Sequence, residues 1–353
     1  MQIIFNPPDN TENKYIQLMT QPLRKAGYDI NELDTFFTSW KHFRHIRLVH
    51  LNWFENIDDT STIKAFRSFF RKIFVLTVIR LSGKKLVWTM HNRMTHEKKT
   101  GKLSRILTGR LLKWSDAIVI HCSTSRELLA EKDPALARKT CLIPHPNFVD
   151  SYGSVSDNAP SDSPKLHLLF MGAVKPYKNI ELLINTIGPM GKEVSLTIAG
   201  KPKDSEYHDT LTKIAAKFPN IDLVLEFIPD GLLPELIGKA DILILPYDLK
   251  SSLNSGTVML AFSYQKTVIC PEIGTLVDLQ EAKDHFFGYR YQSTTEHMEK
   301  IRSTIQKAIN LKKDHPTALD EMGQKMREYV LTHNSQSLVG KQLVNLYENL
   351  SNQ

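Results

Sequence analysis

Three short segments gather residue types that can hold or transfer a charged group. Gly172-Ala173-Val174-Lys175-Pro176-Tyr177-Lys178-Asn179 lies between an apolar run and an amphipathic one. A glycine there lets backbone approach a ligand closely, and two lysines offer compact counter-charges for phosphate. Leu253-Asn254-Ser255-Gly256-Thr257-Val258-Met259-Leu260 follows the apolar Ile242-Leu243-Ile244-Leu245 and its Pro246-Tyr247-Asp248. A helix opening at Gly256 would aim unpaired amides at an anion, with Ser255 and Thr257 as added hydroxyl donors. Thr89 to Glu97 puts His91, Asn92, Arg93, His96 and Glu97 into one loop, where groups that donate, accept and titrate meet. Taken singly, these segments also fit a solvated loop, an ordinary Ser/Thr cap and a structural histidine. No metal site is expected. His91 and His96 lack a third ligand and HExxH spacing, and Cys122, Cys141 and Cys270 form no CxxC.

Elements that could position these residues alternate along the chain, Val/Ile/Leu runs with longer amphipathic stretches, the mark of an α/β fold with buried parallel strands. In the first half, strands are predicted at Gln2–Asn6, Asp29–Leu33, Arg47–Trp53, Lys85–His91, Ala117–His121 and Thr140–Ile143. Helices are predicted near Lys14–Ala26, Thr62–Leu81, Lys102–Trp114 and Ser125–Glu131. Pro146 to Pro164 clusters Ser, Asp, Asn and Pro without an apolar period and reads as a linker or long loop. The pattern then restarts, with strands at Leu166–Met171, Val194–Ala199, Asp222–Phe227, Asp241–Pro246 and Thr267–Cys270. Helices fall around Ile180–Thr186, Glu206–Lys217, Leu233–Lys239 and Thr257–Tyr264. Gln336–Leu350 carries a helical apolar stripe. The expectation is two doubly wound domains, 1–150 and 165–334, joined by a linker at 151–164. A helix in 335–353 docks across them, and the ligand sits in an interdomain cleft.

Composition fits a globular chain: 353 residues, 41% hydrophobic and 24% charged, which exclude disorder and disulfide-scaffold classes. Three widely spaced cysteines suit a reducing cytosol. Met1 leads straight into a strand, so no secretory signal is expected, and no apolar run approaches a membrane span. The charge is uneven. The chain carries +7, yet 61–113 holds fourteen Lys/Arg against the single acid Glu97, so the rest is net acidic. Phe66, Phe69, Phe70, Phe74, Val75, Val78 and Ile79 interleave with those cations, as in a helix lying on an anionic membrane surface. Nucleic acid is not the expected partner. The plainer alternative is that these apolar residues pack inward.

LLFMGAVKPYKNIELL and ILPYDLKSSLNSGTVMLAFSYQKTVICPEIGTL resemble the GT-B glycosyltransferases of the family-4 type, specifically the Asn-Ser-Gly-Ser/Thr subgroup associated with exopolysaccharide and glycolipid assembly. HLNWFENID and WTMHNRMTHE are similar to that subgroup's first-domain elements. The resemblance covers nearly the whole chain. It implies a GT-B fold of two Rossmann-like domains, an N-terminal one for acceptor and a C-terminal one for donor. It also implies hexosyl transfer from a UDP- or GDP-sugar to a lipid-linked or oligosaccharide acceptor, at or near the cytoplasmic face of the inner membrane, without cofactor or metal. Lys175, Lys178, Ser255, Gly256 and Thr257 would then bind the donor diphosphate, with Tyr247 and Asn254 beside them. His91 would lie by the donor sugar, and Glu97, with His96 second, would serve as base if the enzyme inverts. The family's two glutamates seven residues apart are not found between Ser251 and Lys266, so from that segment only the diphosphate role, on Ser255, Gly256 and Thr257, is carried over. A non-catalytic binding protein with a degenerate nucleotide site, or a nucleotide-sugar epimerase, are the alternatives.

Overall fold

The computed structural model describes residues 1–10, 14–58, 60–93, 101–155 and 163–352. They divide into two compact units, Met1–Pro146 with Asn334–Gln353, and Asn147–His333. The first unit holds β1 (Gln2–Asn6), β2 (Asp29–Asn31), β3 (Ile46–Asn52), β4 (Lys85–Met90), β5 (Ala117–Ile120) and β6 (Thr140–Leu142). These form one parallel sheet in the order β2-β1-β3-β4-β5-β6. The second holds β7 (Leu166–Met171), β8 (Val194–Ala199), β9 (Ile221–Val224), β10 (Ile242–Ile244), β11 (Thr267–Pro271) and β12 (Phe287–Tyr289). Its sheet is also parallel, in the order β12-β11-β10-β7-β8-β9. β5 and β10 are buried at every position, as expected for parallel strands covered on both faces.

Strand order reverses between β1 and β3 in one sheet and between β7 and β10 in the other. At such a reversal the loops leaving the strand ends part to opposite faces, which opens a crevice at the carboxyl edge. Each expected site segment leaves a strand at that edge: 172–179 from β7, 247–257 from β10, and His91 from β4.

Helix boundaries follow local chemistry. Ser61, Asp204, Ser293 and Ser335 each accept a backbone amide three residues on, which fixes the starts of the helices Thr62–Leu81, Ser205–Ala215, Thr294–Asp314 and Gln336–Ser351. The closing helix, expected to dock across domains, adds Val339, Leu343, Tyr347 and Leu350 to the first unit's core beside Ile3, Ile16, Met19 and Leu23. Gly340 permits this approach, since a Cβ there would lie 2.3 Å from Pro22 Cβ.

Several expected boundaries shift. The strand read as Asp29–Leu33 ends at Asn31, because Leu33–Phe37 forms a 3-10 turn, and the one read as Asp222–Phe227 ends at Val224. In the expected linker, Tyr152 N donates to the Tyr264 hydroxyl (2.9 Å), whose O–H donates to Gly153 O (2.9 Å), so its start packs on the second unit. β12 and the helices Thr294–Asp314 and Ala318–His333 fill a stretch for which no element was expected. No helix among the described residues is long and apolar enough to cross a membrane.

Candidate functional site

In the second unit the crevice is built from the β7 and β10 exits. After β7, Gly172 has φ +131°, a conformation L side chains rarely adopt, and a Cβ on it would stand 3.7 Å from Thr257 Oγ1. The chain turns once through Pro176–Lys178, and Asn179 takes a left-handed conformation while its Nδ2 donates to Pro246 O (2.8 Å). This hook ties the β7 loop to the β10 loop and turns Lys178 inward. Its ammonium lies 4.1 Å from the centroid of the Tyr247 ring and 5.4 Å from that of Tyr177. Burial lowers the Lys178 pKa. Among the described residues no carboxylate pairs with it. A partly desolvated cation whose neighbours are ring faces gains about 1–2 kcal/mol from them, less than an anion would supply.

Tyr247 is the hub. Its hydroxyl lies 2.7 Å from Ser255 Oγ, and burial pushes it up to about 12, so it stays a neutral phenol. Ser255 Oγ also accepts the Val258 amide (3.1 Å), and Ser255 N donates to Thr275 Oγ1 (3.1 Å). Those bonds fix the start of the helix Gly256–Ser263 and leave the amides of Gly256 and Thr257 without a partner among the described residues. Tyr291 braces Tyr247 from behind: its O–H donates to Tyr247 O (3.0 Å) while its ring stacks on His297 at 3.8 Å. Lys178, Tyr247, Ser255, Gly256 and Thr257 are therefore assembled at one place. Lys175 is exposed on the loop; its carbonyl accepts the Lys178 amide (2.9 Å), but among the described residues no side-chain hydrogen bond or ion pair ties its ammonium to that group. Asn254 is half-buried beside Ser255.

In the first unit His91 is buried, its ring stacked on Trp53 at 4.1 Å and its Nε2 donating to Asn52 Oδ1 (3.1 Å). Trp53 itself has φ +49°, costly for a bulky residue and held only by its surroundings. Sequence reasoning missed the rest of this cluster. Tyr15 donates to His121 Nε2 (2.8 Å), whose Nδ1–H donates to Ile143 O (2.7 Å). His50 lies between the Tyr347 hydroxyl (2.5 Å) and the Thr89 hydroxyl (2.7 Å), and His145 packs 5.0 Å from the Tyr15 ring. A signal was available in part: His91 and His121 each stand just past the carboxyl end of a strand and His145 three residues past another, whereas His50 lies inside β3. His96 and Glu97 lie outside the described residues.

Burial pushes His50 and His145 down to about 3 and His121 to about 4, and holds His91 well below the ordinary 6.5. Folded, these rings are neutral where the unfolded chain would already bind protons. Stability is thus full above about 6.5 and falls as pH drops toward 4, by about 1.4 kcal/mol per pH unit for each ring. Urea midpoints for the first unit should fall steeply between pH 7 and pH 5. A flat profile over that interval would show that the rings are not held neutral.

Two six-stranded parallel sheets of this topology define the class: the fold is that of the GT-B glycosyltransferases. It is similar to Anabaena HepE in complex with UDP-glucose (TM-score 0.70, 12% identity, 99% of this chain and 100% of that one). It is similar also to the α,α-trehalose-phosphate synthase (UDP-forming) of Burkholderia vietnamiensis (TM-score 0.66, 8% identity, 100% and 99%). At such identities the likeness is one of fold. In sequence, the chain is similar to a GDP-mannose:glycolipid 4-beta-D-mannosyltransferase of Xanthomonas campestris pv. campestris, 25% identical over 198 residues. The match takes in 56% of this chain and 53% of that protein, so the chain spans about half the length of the curated relative it matches. No family model matches the chain.

Proposed function

We propose that the chain is a glycosyltransferase of the family-4 type, in the Asn-Ser-Gly-Ser/Thr subgroup. In this reading it moves a hexose from a UDP- or GDP-sugar to a hydroxyl of a lipid-linked or oligosaccharide acceptor in bacterial surface polysaccharide or glycolipid assembly. The observation that carries the reading is the Lys178 ammonium, partly desolvated and without a carboxylate partner among the described residues, over Tyr247 and beside a capped helix start. The names of the similar proteins support it: one uses GDP-mannose and a glycolipid, another is held with UDP-glucose.

In the reaction the bond from the anomeric carbon to the diphosphate oxygen breaks and a bond to the acceptor oxygen forms. Charge builds on the leaving diphosphate, where Lys178 and the Gly256 and Thr257 amides stabilise it, with Lys175 reaching it from the loop. These groups supply the positive field that a metal would otherwise provide, so transfer proceeds without one. The acceptor proton goes to Glu97, or to His96, if configuration inverts, and to the leaving phosphate if it is retained. Residues 1–150 bind the acceptor and 165–334 the donor, at the cytoplasmic face of the membrane, where the basic region 61–113 meets anionic lipid.

A panel of UDP- and GDP-sugars with a lipid-linked sugar acceptor tests this reading. One donor should give acceptor-dependent transfer that persists in excess chelator. Absence of transfer and of donor hydrolysis across the panel, with no nucleoside diphosphate raising the melting temperature, would remove it. Strict dependence on manganese or magnesium would remove the metal-free mechanism.

A further inference from the structure

The helix Thr62–Leu81 has two apolar faces. Ala65, Val75, Leu76 and Ile79 are buried in the first unit. On the opposite side Ile63, Phe66, Phe70, Phe74 and Leu81, spaced three, four, four and seven residues apart, are exposed. A second segment extends that outer face: Phe37 lies 5.8 Å from Phe74, and Phe43 bridges Phe37 (6.2 Å) to Trp40 (5.5 Å). Trp40 is 72% exposed, Phe70 63% and Phe74 58%. Of the six large aromatics exposed among the described residues, only Phe227 lies elsewhere. Such clustering on one face marks a contact surface.

Charge identifies what covers it. Segments 37–47 and 62–81, which carry the aromatics, hold eight Lys/Arg and no carboxylate. Arg71 pairs with Asp34, and Lys72 donates to the carbonyls of Phe54 and Asn56, but Lys41, Arg44, Lys64 and Arg67 are exposed without an ion pair among the described residues. A second copy of so cationic a face would be repelled. A nucleic-acid strand needs open ring faces on which to stack, whereas these rings pack against one another. Rings that can enter a headgroup layer, rimmed by cations, match an anionic bilayer.

We infer that Trp40, Phe37, Phe66, Phe70 and Phe74 insert into the interfacial layer of an anionic membrane while Lys41, Arg44, Lys64 and Arg67 hold its phosphates. This deepens the membrane part of the proposed function and rests on it. Attachment is therefore hydrophobic as well as electrostatic, and its apolar part survives salt.

Flotation with phosphatidylcholine vesicles, with and without phosphatidylglycerol, tests the inference. The protein should float only with phosphatidylglycerol, and part of it should stay bound at high salt. Phe70→Ser with Phe74→Ser should weaken binding roughly tenfold and make it fully salt-reversible. A blue shift of tryptophan emission on binding should vanish in Trp40→Phe while binding persists. Equal flotation of wild type and the double variant, complete release of wild type by salt, or lipid-free dimerisation lost in the double variant would each overturn it. Transfer to a water-soluble acceptor should be unchanged in the double variant, which keeps failure of docking distinct from failure of the proposed catalysis.

Discussion

Lys178→Ala is expected to lower kcat/KM for the sugar donor by about 100- to 1000-fold, the loss seen when one preorganised group is taken from a developing oxyanion. Nucleoside diphosphate affinity should fall with it. Lys175→Ala, on the exposed side of the same loop, should cost about tenfold or less, because water screens its charge. The two lysines thus separate a seated charge from a passing one. Stability should move the other way. In the free protein the Lys178 ammonium is partly desolvated and, among the described residues, is met by ring faces and by no carboxylate, so Lys178→Met should raise stability by about 1 kcal/mol. Steady-state kinetics, calorimetric titration with UDP and GDP, and thermal melts read the three effects. Unchanged kcat/KM in Lys178→Ala would take away the diphosphate role.

The second large effect is on folding. Gly200 follows β8 with φ +143°, and a Cβ on it would sit 1.8 Å from the Gly172 carbonyl oxygen and 2.9 Å from its carbon. Both atoms are backbone and cannot rotate away. The Gly172 amide is held by Ala199 O (3.1 Å), and the Val174 amide by Lys201 O (3.1 Å). Gly200→Ala must therefore prise the β7 exit from β8 or adopt backbone angles closed to alanine. It is expected to destabilise the second unit by about 4 kcal/mol or more. Calorimetry should show a lower melting temperature for that unit, with the first unit's transition unmoved. Because the displaced strand end leads to Lys178, whatever protein folds should also bind nucleoside diphosphate weakly. A melting temperature equal to wild type would show that the β7 exit yields freely.

The parallel sheets were legible because buried parallel strands are short and rich in Val, Ile and Leu: Leu166–Met171, apolar but for His167, and Val194–Ala199, apolar but for Ser195 and Thr197, fall where they were expected to the residue. Thr294–Asp314 was not, since its inward side rests on Ile301, Ile305, Ala308 and Ile309 scattered among polar residues. Within the site, the helix start at Ser255–Gly256 could be read locally, because a cap is a matter of neighbouring residues. The distinction between Lys175 and Lys178 could not. It depends on one turn of 3-10 helix and on Asn179 reaching Pro246, 67 residues away. The histidine cluster was hidden for a similar reason. His50, His91, His121 and His145 meet only through the lateral order of β3, β4, β5 and β6, which no single segment encodes.

The helix that completes the first unit is the last element of the chain, and the second unit is one uninterrupted insertion before it. On the ribosome, residues 1–146 must wait with Ile3, Ile16 and Leu23 uncovered until Val339 and Leu343 have emerged, whereas 147–333 can close their own core earlier. The half that is translated first thus matures second, and during that interval its apolar surface is open to chaperones.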